Sequence, residues 1–134
     1  MLALTLSGRI YRRHIAGSTT AADVVEALRY LRRVLRRPMI IIWDRLSAHR
    51  AGIVKNYLGS YPEVSIEWLP AYAPELNPEE YCHGYVKQRM RNVVVETEQQ
   101  MREHVDRELR RLRKRPHIIQ GFFRRAGLDI TLSG

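Results

Sequence analysis

One aspartate and one histidine follow the most apolar segment of the chain. Residues Met39–Trp43 form a continuous apolar run, bounded by Pro38 and Asp44, that is too short for a helix. Such a run predicts a strand buried on both faces of a parallel sheet. Because ligands of open α/β sheets bind just beyond the carboxyl ends of the strands, we expect Asp44 to face a ligand crevice. His49 follows five residues later and is a second polar candidate for the same place.

A second acidic group stands at the start of a predicted helix. The preceding loop, residues 69–78, contains three prolines and is therefore stiff. Asn77 is a good helix cap and Pro78 suits the first helical position, so this pair predicts the helix start. Glu79 and Glu80 then lie in the first turn, where the helix dipole favours a carboxylate.

Acidic groups brought together from a strand end and a helix start repel one another unless a cation lies between them. Carboxylate oxygens of this kind suit Mg²⁺ or Mn²⁺. With a third carboxylate, two ions about 4 Å apart activate water and stabilise the leaving oxygen in phosphoryl transfer. Two structural roles compete with this chemistry: Asp44 can cap the next helix, and Glu79 and Glu80 can be ordinary first-turn acids.

The elements that must position these residues alternate between strands and helices, which predicts an α/β fold. Thr20 and Asp23 resemble a capping box at the start of a helix that Pro38 ends. The strand that ends at Trp43, the next helix and the next strand form a βαβ unit with a right-handed crossover. In order, the predicted elements are a hairpin (1–15), a helix (20–37), a strand (39–43), a helix (51–58), a strand (64–69) and three helices (77–90, 98–115 and 116–126).

Composition narrows the class of protein. The 134 residues with 45% hydrophobic content predict one soluble domain over 1–134 and exclude a disordered tail. The single cysteine, Cys82, cannot form an internal disulfide, which fits a reducing compartment. The longest apolar run is far shorter than the roughly 20 residues that span a bilayer. The net charge of +9 favours an anionic partner, with nucleic acid as the first candidate and a merely basic soluble protein as the alternative.

Most of the positive charge lies in two clusters. Residues 85–125 contain twelve Lys and Arg against five Asp and Glu, and the run 107–115 is dense enough to favour contact with phosphates. The other cluster recurs at helical spacing and is either a phosphate-binding or a solvated helix face: Arg29, Arg32, Arg33, Arg36 and Arg37.

The acids and the loop together resemble the catalytic core of mariner-type DDE transposases from bacterial insertion sequences. The family pattern is a strand that ends in Asp, a nearby His, a loop of the form LPxYxPxLNPxE and a helix that carries a Lys. Here these features are Asp44, His49, the stretch LPAYAPELNPEE at 69–80 and Lys87, with 35 residues between Asp44 and Glu80. The resemblance implies a ribonuclease-H-like mixed sheet with flanking helices, a catalytic core over 38–91 and basic C-terminal helices over 98–126.

The resemblance also implies roles for individual residues. Asp44 and Glu80 would be the second and third acids of the metal-binding triad, with Glu79 as the alternative to Glu80 if the helix register slips by one residue. His49 would assist near the scissile phosphate or pack at its helix start, and Asn77 and Pro78 would position the helix. The complete site would hold two Mg²⁺ or Mn²⁺ ions. The residues implied to contact DNA are Lys87, Arg89, Arg91, Arg110, Arg111, Arg113, Lys114 and Arg115.

The sequence departs from the family at its beginning. The family's first catalytic Asp lies on a central strand before the hairpin, whereas the only acids ahead of Asp44 are Asp23 and Glu26, both on the first predicted helix. Without that strand, the strand 39–43 is expected to have an unpaired edge. The chain is then either the C-terminal product of a split transposase, completed by an N-terminal polypeptide or a second copy, or the remnant of a decayed element. In both cases we expect no DNA cleavage by the chain alone.

Two alternative functions remain. The first, implied by the resemblance, is metal-dependent cleavage and transfer of DNA strands during transposition, in the cytoplasm of a bacterium and associated with the nucleoid. The second is binding of nucleic acid without catalysis, through the arginine-rich helices alone. A nucleotide-binding Rossmann site is excluded because no glycine-rich fingerprint follows a predicted strand.

Overall fold

A computed structural model describes residues 1–13 and 17–128. The chain divides into two compact units, which are described separately below. The first unit contains Met1 and residues 13–73, and the second contains residues 2–12 and 74 onwards. The prediction of one domain over 1–134 stays a prediction.

The described residues form a mixed α/β structure, as the sequence predicts. The strands are β1 (Leu2–Leu4), β2 (Ile10–Arg12), β3 (Met39–Trp43) and β4 (Val64–Trp68). The helices are α1 (Ala21–Leu35), α2 (Gly52–Gly59), α3 (Pro78–Arg89), α4 (Glu98–Arg113) and α5 (Pro116–Arg125), and short 3-10 turns occur at Ser47–Arg50 and Pro74–Leu76. The predicted boundaries agree to within about two residues. Residues 14 and 15 of the predicted hairpin lie outside the described residues.

In the first unit, β3 and β4 pair in parallel and α1 and α2 cover one of their faces. Ile41 and Trp43 point into a core that includes Val24, Leu28 and Val54 of the helices. The prediction that β3 is buried on both faces is wrong, because the side chain of Ile40 is 71% exposed. The physical reason is that α1 and α2 pack only on the face to which Ile41 and Trp43 point, whereas Ile40 points to the opposite face of the sheet.

The start and end of α1 follow from local chemistry. Thr20 and Asp23 form the predicted capping box, in which each side chain accepts a hydrogen bond from the other residue's backbone amide. The helix ends at Leu35, two residues before the predicted end, because Arg36 adopts a left-handed conformation with φ of 50°. Pro38 then prevents any continuation.

The second unit packs the β1–β2 hairpin against three helices. Its core contains Ile10, Leu112, Ile119, Phe122 and Phe123, all buried. The two phenylalanines of α5 are therefore core residues. The hairpin turn passes so close to α5 that a Cβ on Gly8 would lie 2.4 Å from the Cβ of Pro116. Cys82 is also buried here, and burial raises the pKa of its thiol to about 12, so the thiol stays protonated.

An ion pair between Arg32 and Glu63 makes the stability of the first unit depend on pH. A hydrogen bond from its own backbone amide, followed by the Arg32 side chain, lowers the pKa of Glu63 below its ordinary value of 4.5. A lowered pKa in the folded state stabilises the fold above the unfolded pKa, and this contribution is lost as the pH falls through the folded pKa. We expect Glu63→Gln to lower the melting temperature at pH 7 and to lose less stability than wild type on acidification to pH 3.

Thermal unfolding at several pH values tests this expectation. Glu67→Gln is the matched control, because Glu67 is exposed on β4 and makes no ion pair with the described residues. An equal fall in melting temperature between pH 7 and pH 3 for wild type and Glu63→Gln would show that the Glu63 ion pair does not cause the pH dependence.

Candidate functional site

In the first unit, Asp44 follows the last residue of β3 and keeps 59% of its side chain exposed. Its Oδ1 accepts a hydrogen bond from the backbone amide of Leu46 at 3.1 Å. The same oxygen lies 3.2 Å from Nδ1 of His49. The carboxylate is therefore held at the strand end through one oxygen, and Oδ2 has no hydrogen bond with the described residues.

His49 is the only predicted site residue that the structure brings against Asp44 within this unit. Its ring stacks on the indole of Trp43, with centroids 4.3 Å apart and planes inclined by 6°. Nδ1 also lies 3.2 Å from the backbone oxygen of Asp44. The side chain is 17% exposed, so His49 packs within the 3-10 turn Ser47–Arg50 and orients Asp44 at the same time. The stacking partner, Trp43, was not a predicted site residue, although it is the aromatic residue that directly precedes the aspartate.

In the second unit, Asn77 and Pro78 begin α3 as the sequence predicts. Asn77 is the cap, its Oδ1 accepting a hydrogen bond from the amide of Glu79 at 3.1 Å, and Pro78 is buried at the first helical position. The loop before them carries Tyr72, whose side chain is fully exposed and whose φ is 57°. Capping fixes the direction in which the first-turn carboxylates leave the helix.

The two first-turn glutamates differ in their surroundings. A carboxylate oxygen of Glu79 lies 3.5 Å from Nε2 of His83, one turn further along α3. Glu80 is exposed and makes no ion pair or side-chain hydrogen bond with the described residues. Its carboxylate is thus available to a ligand, and Lys87 lies exposed two turns further along the same helix.

The predicted DNA-contacting residues fall into two groups. Three of them bind protein groups within the second unit. Arg89 and Arg111 each donate a hydrogen bond to the buried carboxylate of Glu108, at 2.8 and 2.9 Å. Arg113 donates a hydrogen bond to the backbone oxygen of Ile10 at 3.4 Å. Glu108 also raises the pKa of Arg89 above its usual value. The remaining residues are exposed and make no ion pair with the described part of the chain: Lys87, Arg91, Arg110, Lys114 and Arg115.

The donors in both units suit a hard divalent cation, because the free oxygens of Asp44 and Glu80 are exposed carboxylate oxygens. Among the described residues, no lysine or arginine forms an ion pair with either carboxylate. Over residues 1–13 and 17–128, no group of three or more His, Cys, Asp or Glu side chains is arranged to hold a metal ion. Each of the two carboxylates, taken by itself, is of the ligand type that a divalent metal ion prefers.

The sequence model of the DDE superfamily endonuclease family matches residues 1–115. DDE endonucleases act on DNA and generally use divalent metal ions. No curated protein matches the chain. None of the helices within the described ranges has the length and apolar character of a membrane-spanning segment. Since the match covers most of the 134 residues, the chain belongs to the DDE superfamily endonuclease family.

Proposed function

We propose that the chain is part of the catalytic domain of a mariner-type DDE transposase, which cleaves and transfers DNA strands when a bacterial insertion sequence moves. The observation that carries the proposal is the family match over residues 1–115. The order of Asp44, the proline-rich loop 69–80 and Lys87 supports the mariner type within that family. The same proposal places the protein in the bacterial cytoplasm, associated with the nucleoid.

In this proposal, Asp44 and Glu80 supply carboxylates to two Mg²⁺ or Mn²⁺ ions. Such ions, when bound, activate water and stabilise the leaving oxygen of a phosphodiester. His49 and the Leu46 amide orient Asp44, while Asn77 and Pro78 fix the start of the helix that carries Glu80. Lys87 binds a phosphate of the DNA, together with the exposed basic residues that lack an internal partner.

The first acid of the triad, in this proposal, comes from a polypeptide segment that the 134 residues do not include, supplied by an N-terminal transposase polypeptide or by a second copy of the protein. The support is the pairing of β3, which pairs with β4 alone among the described residues and so has one edge without a strand partner there. An exposed apolar strand with free backbone groups is suited to pair with another strand. A ribonuclease-H-like sheet would place the strand that carries the first Asp there.

A second candidate function is binding of DNA without catalysis. The observation in its favour is the set of exposed, unpaired basic residues on α3, α4 and the segments that follow them, which are sufficient for contact with phosphates. The two functions differ in whether the carboxylates bind metal.

Titration of the full chain with Mn²⁺ separates the two functions. We expect saturable Mn²⁺ binding, measured by electron paramagnetic resonance, that disappears in the double variant Asp44→Asn, Glu80→Gln. The affinity of that variant for a DNA duplex should stay equal to or above the wild-type affinity, because two negative charges near the DNA are removed.

The double variant Glu67→Gln, Glu75→Gln is the matched control, because both acids are exposed and make no ion pair with the described residues. A single variant, Glu79→Gln, decides between Glu79 and Glu80. Unchanged Mn²⁺ binding in Asp44→Asn, Glu80→Gln would refute the metal role and leave the non-catalytic function.

A further inference from the structure

A cleft in the first unit lies at the C-terminal end of α1 and has no part in the proposed metal chemistry. It has a volume of about 250 Å³ and is lined by Arg32, Arg36, Arg37, Pro38 and Glu63. Pockets for cofactors and drug-sized ligands usually measure roughly 300–1,000 Å³. The cleft therefore suits a smaller group, of the size of one phosphate with part of its sugar.

The single acid of the cleft is already neutralised. Both Nη2 and Nε of Arg32 donate to one carboxylate oxygen of Glu63, at 2.9 and 3.2 Å. The guanidinium of Arg32 also stacks on the ring of Tyr61, 3.4 Å from its centroid, and donates to the hydroxyl of Tyr57 at 3.2 Å. Arg32 is thus a fixed part of the wall and is not free to bind a ligand.

Arg36 and Arg37 carry the charge that remains. Both are exposed, and neither makes an ion pair with the described residues. The lining groups together hold three positive charges and one negative charge, so the cleft has an excess of two positive charges. Guanidinium groups bind phosphate oxygens through paired hydrogen bonds, which gives them a preference for this anion over a monatomic one.

The backbone of Arg36 lies in a conformation that favours glycine. Its φ of 50° lies in the left-handed region, where the residue after a helix is usually glycine. A residue with a Cβ is less stable there than glycine. Glycine would cap the helix more favourably, but it would remove the guanidinium from the cleft. Strained positions of this kind cluster where function requires a particular side chain.

We propose that this cleft binds a backbone phosphate of DNA through Arg36 and Arg37, as a second DNA contact of the chain. The inference rests on the proposed function in that DNA is the ligand. It adds a contact on the first unit that depends neither on the acids nor on the basic residues of α3 and α4. The arginines at 29–37 were expected to form either a phosphate-binding or a solvated helix face. The proposal assigns phosphate binding to Arg36 and Arg37 alone.

The test measures binding of the full chain to a fluorescent 30-base-pair duplex by anisotropy over a range of salt concentrations. Each lost phosphate contact reduces the slope of log K against log salt by about 0.9, which at 0.1 M salt corresponds to roughly an eightfold weaker affinity. We expect Arg36→Gly to lose about one contact and Arg36→Gly with Arg37→Gln to lose about two. The melting temperature of Arg36→Gly should equal or exceed that of wild type, since the strain is relieved.

The matched control is Arg9→Gln with Lys55→Gln, which removes two exposed charges that lie outside the cleft and have no ion pair with the described residues. An equal loss of slope in this control would overturn the proposal, because it would show an effect of net charge alone. Wild-type DNA binding by Arg36→Gly with Arg37→Gln would overturn it as well.

Two further outcomes separate the sources of phosphate and the two proposals. We expect inorganic phosphate, added at constant ionic strength, not to compete with the duplex. If phosphate competes with the duplex for wild type, and the double cleft variant abolishes this competition, the ligand of the cleft is a free anion. If wild type does not bind the duplex, both proposals fail. If wild type binds and the cleft variants bind equally well, the cleft proposal fails and the proposed function does not.

Discussion

Replacing Gly8 by Ala should destabilise the second unit by about 3 kcal/mol and lower the melting temperature by roughly 10 °C. Gly8 has φ of 87°, a conformation that is unfavourable for any residue with a Cβ. The added Cβ would also lie 2.4 Å from the Cβ, 2.7 Å from the backbone oxygen and 2.8 Å from the Cα of Pro116. Two of these atoms belong to the backbone at the start of α5, so the collision cannot be relieved by rotating a side chain.

Gly127→Ala is the control that isolates the collision. Gly127 follows α5 with φ of 80°, and a Cβ added there meets no atom within 4 Å. It therefore carries the backbone penalty alone, which we expect to be about 1 kcal/mol. Thermal unfolding followed by circular dichroism measures both variants. Equal destabilisation by the two substitutions would show that the close approach of the hairpin turn to Pro116 does not hold the hairpin in place.

Replacing Asp44 by Asn should reduce metal-dependent nicking of DNA at least about 10³-fold in protein completed with the segment that supplies the first acid of the triad. Metal ions contribute several kcal/mol to transition-state stabilisation, and each 1.4 kcal/mol corresponds to a factor of ten. Asparagine keeps the size of the side chain and can still accept the hydrogen bond from Leu46. The loss would therefore report the missing charge and not a change in fold.

Glu67→Gln is the control for nicking, because it removes a carboxylate from the same unit at an exposed position that lies outside the proposed site. Nicking by this variant should equal that of wild type. If Asp44→Asn nicks DNA within a factor of ten of wild type, Asp44 does not hold the metal.

The features predicted correctly from the sequence are those fixed by residues close together in the chain. The capping box of Thr20 and Asp23 and the helix start at Asn77 and Pro78 each depend on three or four consecutive positions. The parallel pairing of β3 with β4 also follows from the order strand, helix, strand, since a crossover helix joins parallel strands.

The features that were missed depend on contacts between distant residues. The apolar run of β3 predicts burial on both faces. Such burial requires other elements packed over each face of the sheet, and Ile40 remains exposed. The stacking of His49 on Trp43 depends on how the chain turns after β3, which no short motif specifies.

The arginines of the C-terminal segment show the same limit. Composition alone treats them as equivalent, whereas Arg89 and Arg111 bind Glu108 and Arg113 binds the backbone of the hairpin. The spacing of three residues between Glu108 and Arg111 is a local signal that would have predicted one of these pairs. The pair with Arg89 joins α3 to α4 and depends on their packing.

The most direct test of the proposed function is nicking of a supercoiled plasmid in the presence of Mg²⁺. The chain is compared alone and joined to the polypeptide segment encoded immediately upstream, each with and without a chelator. We predict nicked circles only for the joined protein and only with Mg²⁺. Nicking by the chain alone at the same rate as the joined protein, or nicking that survives chelation, would contradict the assignment of Asp44 and Glu80 as two of three metal-binding acids.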